Sequence, residues 1–536
     1  MFRNSIYRFI FLLPFVGFPG LSQAQNEYIK LNAAIHCDTQ ISGGKYSPEE
    51  LAVFFEEQNL DVAFITDHDH VSAEYGFFPF RNVFKYRHHR PSIYTYGEGN
   101  YFNKINSINK QYPNIFVFPG IEAVPFYHWE GSLLQKNLRL KNWHRHLLVL
   151  GLNRAEDIEV LPSLINKQYS RYSALKILAG IISFLGLIYC VLTYLKILNT
   201  RKSPNSVQPN LHMVKNRTEK TVITKNGHVI EQMQNVLPYS YKISNYPSLK
   251  KQGNRGKKTL LIIGFFVCVL VIINSYPFKV QKYSQYDIDY GAQPYQDLID
   301  YVNKKNGLIF WAHPEATFQS NVWKIEMDTP AYPELLLQTF NYTGFAIFWE
   351  GMKKVGCPGG IWDMVLNQYC TGHREKPVWA IGELDFEDSK DPKLLREALT
   401  PLWVQNKSEV AILNALKKGR MYATRNFAGD FIQVEKFSIG DKGRSAFAIS
   451  GEKLVFQIAP TMNISFTISQ NGAYRLELIR NGDIIQNFER SESGEWRIQF
   501  SDNEVPLKRK SYYRFLLYRN NWPVLASNPI FVEKEK

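Results

Sequence analysis

Two stretches of this 536-residue chain run for nineteen and twenty residues without a charged side chain. They are ILAGIISFLGLIYCVLTYL (177–195) and TLLIIGFFVCVLVIINSYPF (259–278). As helices rising about 1.5 Å per residue, each reaches across roughly 30 Å of hydrocarbon. A core helix of a water-soluble protein normally keeps a polar face, and neither stretch has one. Residues 199–258, between them, carry twelve Lys or Arg against two Glu, an excess that places such a loop on the cytoplasmic side. The opening MFRNSIYRFIFLLPFVGFPGLSQAQ has a basic start, an apolar stretch and a small-x-small end at Ser22-Gln23-Ala24. It reads as a cleaved secretory signal, which would send the following segment outward.

The organisation expected is therefore a signal peptide (1–24), an outer segment (25–172), a transmembrane helix (173–198), a basic cytoplasmic loop (199–258) of unknown partner, a second transmembrane helix (259–278), and outer segments 279–430 and 431–536. A membrane hairpin returns the chain to the side it left, so one domain can be built from both outer halves. The expected location is a bacterial inner membrane with the globular part on the periplasmic side. The formal net charge of +14 sits mostly in the loop and at Arg3 and Arg8, leaving the remainder nearly neutral. A basic groove is thus not expected, and neither is a nucleic-acid partner. Of the five cysteines, Cys357 and Cys370 flank a Pro-Gly-Gly turn on one outer loop and are the pair expected to be able to bond.

The outer segments repeat a pattern of short apolar runs that end in ligand-type residues. VAFIT (62–66) leads to Asp67-His68, IFVFPGI (115–121) to Glu122, and GLIFWA (307–312) to His313-Pro314-Glu315. VWAIG (378–382) leads to Glu383, then Asp385 and Glu387, whereas HLLVLGL (146–152) begins with its histidine. Runs of this kind suit parallel strands buried on both faces. Helical stretches intervene. SPEELAVFFEEQ (47–58) has Ser47 as a cap, Pro48 in the first turn and Glu50 completing a capping box, and AQPYQDLIDYVNKK (292–305) is another. The alternation implies an α/β fold, a β/α barrel or a doubly wound sheet, with strand ends converging on one face. Imidazole and carboxylate together suit zinc, manganese or iron. After residue 430, alternating runs such as YRLELIR, WRIQF and YYRFLLYR imply a small antiparallel β-sandwich, with Asn481-Gly482 as a hairpin turn.

In series, these motifs resemble the PHP (polymerase and histidinol phosphatase) family. That resemblance implies a distorted β/α barrel, here interrupted by the two-helix hairpin, with two or three divalent metal ions at the strand ends. IHCDTQISGG aligns His36 with the family's first histidine and puts Asp38 where a second histidine is usual. The Thr66-Asp67-His68 motif is intact, PGIE supplies Glu122, RHLLVLG supplies His146 and AHPE supplies His313. In ELDFED, Asp385 is kept and Glu387 stands for a histidine. The metal ligands implied are His36, Asp38, His68, Glu122, His146, His313, Asp385 and Glu387. Asp67, His68 and Glu122 are expected to serve catalysis, with Asp67 orienting a ligand imidazole. WDMVL (362–366), ALKKGRMYAT (415–424) and ASNPIFV (526–532) are similar to the carbaryl-hydrolase-like branch of the family. The function implied is a membrane-tethered hydrolase of a small phosphoester, or else of a carbamate or carboxylic ester. A third alternative is a degenerate barrel that binds metal for a signalling role. His128 and His144 read as surface loop residues in preference to substrate contacts, and Asp69 and His70 either extend the site or support its ligands from behind.

Overall fold

A computed structural model of the chain describes residues 28–164, 166, 169–199, 224–225, 228–229, 255–322, 325–387, 391–427, 431–442, 444–506 and 510–535. The expected signal peptide and most of the basic loop lie outside the described residues. The chain divides into two compact units. One holds residues up to 74, 87–170 and 281 onward; the other holds 75–86 and 171–280.

The larger unit is a mixed α/β structure built on one long sheet. Its first strands, numbered along the chain, are β1 (Ile29–Cys37), β2 (Val62–Ile65), β3 (Phe116–Ala123), β4 (Leu147–Leu150), β5 (Leu308–Trp311), β6 (Gly344–Phe348), β7 (Trp379–Gly382), β8 (Ala398–Val404) and β9 (Tyr422–Arg425). Their order in the sheet is 7-6-5-4-3-2-1-8-9. The apolar runs are buried as the sequence implies: every residue of β2, β4, β5, β6 and β7 is out of solvent. The expectation of all-parallel strands needs correction. β1, β2 and β3 are parallel, as are β5, β6 and β7, but β4 runs antiparallel to both of its neighbours. β4 and β5 pair from Leu150–Leu308 to Leu147–Trp311, which joins the segments before and after the interruption in one sheet. Just beyond β7, Leu384 donates to the Ile35 carbonyl at 3.0 Å, Phe386 to that of His36 at 3.1 Å, and Asp38 to that of Phe386 at 3.0 Å. The strand path therefore returns to β1.

Both expected helices of this unit are present. Pro48–Glu57 starts with the reciprocal Ser47–Glu50 capping box, and Gln293–Lys304 buries Tyr295, Leu298, Ile299 and Val302 at helical spacing.

The C-terminal strands form two layers around an apolar core that includes Phe437, Met462, Phe466, Leu476, Phe515 and Leu517. One layer is antiparallel: Ile432–Asp441 and Pro460–Ile468 pair, flanked by Phe447–Ile449 and Gly494–Ser501. The other continues the main sheet, since Trp522–Ser527 pairs with β9. It is not purely antiparallel, because Lys453–Phe456 and Ile530–Lys534 run parallel. Asn481 (φ 53°) and Gly482 (φ 101°) form the turn between Tyr474–Arg480 and Asp483–Arg490; positive φ at both positions is what a tight hairpin turn requires.

The motifs at 362–366, 415–424 and 526–532 lie where these layers meet. Buried Asn528 receives the Ala380 N–H at 2.8 Å and donates to the carbonyls of Ala380 and Met421. Cys357 and Cys370 form no disulfide. The ten-residue helix Ile361–Cys370 stands between them. Both thiols are free, so the expected bond is not formed.

In the smaller unit, Ala174–Asn199 and Arg255–Ser275 are helices long and apolar enough to cross a membrane. The second starts four residues earlier than the uncharged stretch and stops before Pro277, which disfavours helix at Tyr276. The two helices run antiparallel and touch at small residues. A Cβ added at Gly186 would meet Cys268 Sγ at 3.0 Å, and one at Gly264 would meet Cys190 Sγ at 3.3 Å. Small residues at such positions let helix backbones approach closely.

Candidate metal centre

The strand directions explain why the ligand-type residues sit where they do in sequence. β1, β2, β5 and β7 deliver His36, His68, His313 and Asp385 at or just past their C-terminal ends. Because β4 is antiparallel, its N-terminal end lies at the same edge, so its histidine must come before the strand. His146 does. Glu122 sits within β3, next to the bridge it makes with His68. Three of these residues adopt a left-handed backbone: His36 (φ 73°), His313 (φ 23°) and Asp385 (φ 49°). For residues with a Cβ that conformation costs on the order of 1–3 kcal/mol and tends to cluster at functional sites.

Glu122 is the hub. It is 1% exposed. Its Oε2 lies 3.2 Å from His36 Nε2 and 3.1 Å from His68 Nε2. Its Oε1 contacts His146 Nδ1 and lies 3.5 Å from His313 Nε2. Asp385 Oδ1 stands 3.7 Å from His36 Nε2, and its half-exposed side chain opens the centre to solvent. Four groupings bring ligand-type atoms within 4.8 Å of one another: His68–Glu122–His146, His36–Asp38–Glu122, Asp38–His68–Glu387 and His313–Glu383–Asp385. All eight candidate ligands therefore fall in the same constellation, including Asp38 and Glu387 at the two altered positions.

The hydrogen bonds around the imidazoles fix which nitrogen faces inward. His146 Nε2 lies 3.2 Å from the Trp143 carbonyl, to which only an N–H can donate, so Nδ1 turns toward Glu122. Tyr332 donates its hydroxyl proton to the Ala312 carbonyl at 2.7 Å. The same oxygen, 3.2 Å from His313 Nδ1, must then accept, which leaves His313 Nε2 as a lone-pair donor. His36 Nδ1 lies at ion-pair distance from Glu383 Oε1, 3.1 Å, without hydrogen-bond alignment, and its Nε2 lies 3.2 Å from Glu122 Oε2.

The residues fit a divalent cation. Among the described residues, both oxygens of Asp38 and Nδ1 of His68 are buried with no hydrogen-bond partner. Burying a carboxylate without a partner costs several kcal/mol, which a bound cation relieves. Burial, reinforced by Glu122, lifts the Asp38 carboxyl well above the usual range against the pull of His36. Burial would also lift Glu122, yet His146, His68 and His36 outweigh it and hold that carboxyl well below the usual range. For His313, burial is overcome by the Glu122 hydrogen bond, Glu383 and Asp385, which raise it to about 9; the extra proton sits on Nε2, where a bound cation would displace it. Burial pushes His68 down to about 4, keeping it a neutral ligand.

Asp67 needs correction. Among the described residues its carboxylate meets no imidazole. It accepts from Thr39 N at 2.9 Å, Thr39 Oγ1 at 2.8 Å and Ser42 Oγ at 2.7 Å, and burial lifts it to about 6 against those bonds. Asp67 thus clamps the turn that follows Asp38 rather than orienting a ligand. That turn closes so tightly that a Cβ at Gly44 would fall 2.1 Å from the Asp38 carbonyl oxygen, which explains the glycine at that position.

Of the two histidines read as surface residues, His128 is buried and His144 is half-buried. Glu130 Oε1 lies 3.3 Å from His128 Nε2. His144 stacks on Phe318 at 3.6 Å between ring centres and neighbours His146; burial, then His146 and His313, push it down to about 2. Asp69 is buried beside the centre, its N–H donating to the Glu122 carbonyl at 3.1 Å, whereas His70 is buried away from the ligands. His70 packs on Tyr94 at 4.3 Å, and burial lowers it to about 4.

Two contributors lie outside the implied ligand set. Glu383, the first ligand-type residue after β7, touches both His36 Nδ1 and the His313 N–H. Tyr332 lies in a loop with no motif at all. Glu383→Gln should keep one acceptor for His36 while removing the charge behind it. The expected result is metal binding about 10–100-fold weaker by calorimetric titration; unchanged affinity would remove Glu383 from the orienting role.

Beside Asp385 and Glu387 lies a cleft of about 330 Å³, lined also by Trp349, Leu384, Phe386, Leu394 and Glu397. It is large enough for a small substrate.

No protein-family model and no curated protein matches this chain. Among solved structures, it is similar to a two-domain protein from Bacteroides vulgatus containing a predicted PHP-like metal-dependent phosphoesterase. That likeness has 10% identity and a TM-score of 0.34, covering 94% of this chain and 95% of the other. A second, assigned as a metal-dependent phosphoesterase from Bifidobacterium adolescentis, has 12% identity and a TM-score of 0.18, covering 53% of this chain and 67% of the other. The chemistry assigned to this chain rests on its own residues.

Proposed function

We propose that the chain is a membrane-tethered hydrolase of the PHP type, its centre held in a distorted barrel on the outer side of a bacterial inner membrane. The observation that carries the reading is the buried hub: one carboxylate, Glu122, within reach of four imidazoles, beside an Asp38 whose two oxygens have no hydrogen-bond partner among the described residues. His36, Asp38, His68, Glu122, His146, His313, Asp385 and Glu387 would hold the metal. Bound zinc, manganese or iron would supply Lewis-acid polarisation and a water acidic enough to attack at neutral pH.

The chain's own groups prepare that chemistry. Tyr332 and the Trp143 carbonyl fix the faces of two imidazoles, and Glu383 stands behind a third. Asp67 fixes the turn that carries Asp38. The exposed flank of Asp385 and the adjoining cleft give a small substrate its approach. A phosphoester is the substrate class favoured by the motif series. The motifs shared with the carbaryl-hydrolase-like branch join layers of the fold in this chain, so they support no substrate assignment.

The test is a panel of phosphomonoesters, phosphodiesters, carbamates and carboxylic esters, offered to the purified full chain with zinc, manganese or iron. Phosphoester turnover that chelation abolishes and metal restores is the expected result. Turnover confined to carbamates or carboxylic esters would move the substrate class. Metal binding without turnover on any ester would assign the chain to binding or signalling.

A further inference from the structure

Residues 75–86, YGFFPFRNVFKY, hold six aromatic residues in twelve and belong to the same compact unit as the two long apolar helices. The segment is the closed end of a two-stranded hairpin, formed by the paired strands Ser72–Gly76 and Lys85–His89. Phe77 N donates to the Phe84 carbonyl at 2.8 Å, and Val83 N and Phe84 N both donate to that of Phe80. Its rings nevertheless face outward: Phe78 is 83% exposed, Tyr86 60%, Phe84 52% and Phe77 45%. Ordinary surfaces scatter such residues singly; four on one short loop make a patch that calls for a partner.

The loop's anchoring indicates the partner. Asn82 N donates to Asn274 Oδ1 at 2.9 Å, and Asn82 Nδ2 donates to the Asn274 backbone carbonyl at 2.7 Å. Asn274 lies in the last turn of the apolar helix Arg255–Ser275, where backbone carbonyls lose their helical partners. The loop therefore caps that helix end. At the same end, Tyr276 and Tyr172 are 68% and 70% exposed, and Lys279–Tyr172 pairing ties the two helices together. The other end of the helix begins with Arg255, Lys257 and Lys258. Basic residues at one end and aromatic rings at the other are what a span presents to its two water interfaces.

We propose that the 75–86 loop is a membrane-interface anchor, seating Phe77, Phe78, Phe84 and Tyr86 among the lipid headgroups and upper acyl chains of the outer leaflet. The proposal rests on the membrane-tethered reading above. It adds a third lipid contact from a segment that leaves the sequence seven residues after His68.

Photo-crosslinking of the full chain, reconstituted in phosphatidylethanolamine–phosphatidylglycerol vesicles, tests it. Benzoylphenylalanine replaces Phe78, Ile263 in the middle of the second helix, or the exposed Trp522 of the C-terminal strands, one position at a time. Lipid adducts at Phe78 should exceed those at Trp522 by at least about tenfold and approach those at Ile263. Lipid labelling at Ile263 with none above the Trp522 level at Phe78 would overturn the loop proposal and leave the spans standing. No lipid labelling at either would overturn the membrane reading and the loop proposal together. A protein adduct at Phe78 in place of lipid would also overturn the proposal, because the patch would then belong to a protein partner.

Discussion

Replacing Glu122 with alanine is expected to strip the centre of its metal and abolish hydrolysis. No other carboxylate in the site meets four imidazoles, two on each oxygen. Its backbone is fixed within β3, and its side chain is 1% exposed, so no water takes its place at low cost. Loss of an orienting partner behind a ligand typically weakens binding about 10–100-fold, and loss of the hub should exceed that range. Glu122→Gln is the sharper variant. It keeps the shape and one acceptor oxygen but loses the charge that draws His36, His68, His146 and His313 together. Calorimetric titration with zinc or manganese should show the loss, while far-ultraviolet circular dichroism checks that the variant is folded. Parent-like affinity in Glu122→Gln would contradict the hub assignment.

The largest effect on stability is expected far along the chain, at Asp363. This residue, in the WDMVL run, is 1% exposed and faces Arg514, which is fully buried. Arg514 Nε donates to Oδ1 at 2.8 Å and Nη2 to Oδ2 at 2.6 Å. Tyr512 adds its hydroxyl at 2.7 Å, Gly359 its N–H at 2.8 Å, and the guanidinium lies 4.6 Å over Trp362. The pair joins the helix Ile361–Cys370 to the C-terminal strand Ser511–Arg519. Asp363→Ala leaves a guanidinium buried without its anion and should cost about 3–5 kcal/mol, read as a lower denaturation midpoint. Removing both charges, with Asp363→Leu and Arg514→Met together, should recover most of that loss, because the desolvation of the ions is removed along with their attraction. A double variant as unstable as Asp363→Ala would show that packing, not the buried charge, sets the cost.

Much of the centre was legible because it depends on local pattern. A four-residue apolar run followed by Asp-His or Glu says where a strand stops and what it delivers, and this holds for His68, Glu122, His313 and Asp385. His146 was legible as a ligand, while the reason for its reversed order was not. That reason is the antiparallel direction of β4, a tertiary fact that no four-residue stretch encodes. Asp67 was misjudged for a related reason. Its motif reads alike whether the carboxylate faces an imidazole or the turn at 39–42, and only the fold brings Thr39 and Ser42 to it. Tyr332 left no trace, since a single tyrosine in a loop carries no period and no spacing. The helix Pro48–Glu57 was legible to within a residue, because capping is decided by neighbours. The C-terminal strands were legible as alternating runs, but not their continuity with the main sheet, because pairing partners such as Ala423 and Ala526 lie about a hundred residues apart.

The central claim is that the strand ends form a metal centre and not a buried network of acids and imidazoles. Elemental analysis of the purified full-length chain, after exposure to zinc, manganese and iron and removal of free ions, tests it most directly when the parent is set beside His68→Ala. The account predicts more than one divalent ion per parent chain, lost on chelation, with a reduced complement in His68→Ala. A folded parent that takes up no metal, or a His68→Ala variant that keeps the parent's full complement at the same affinity, would contradict it.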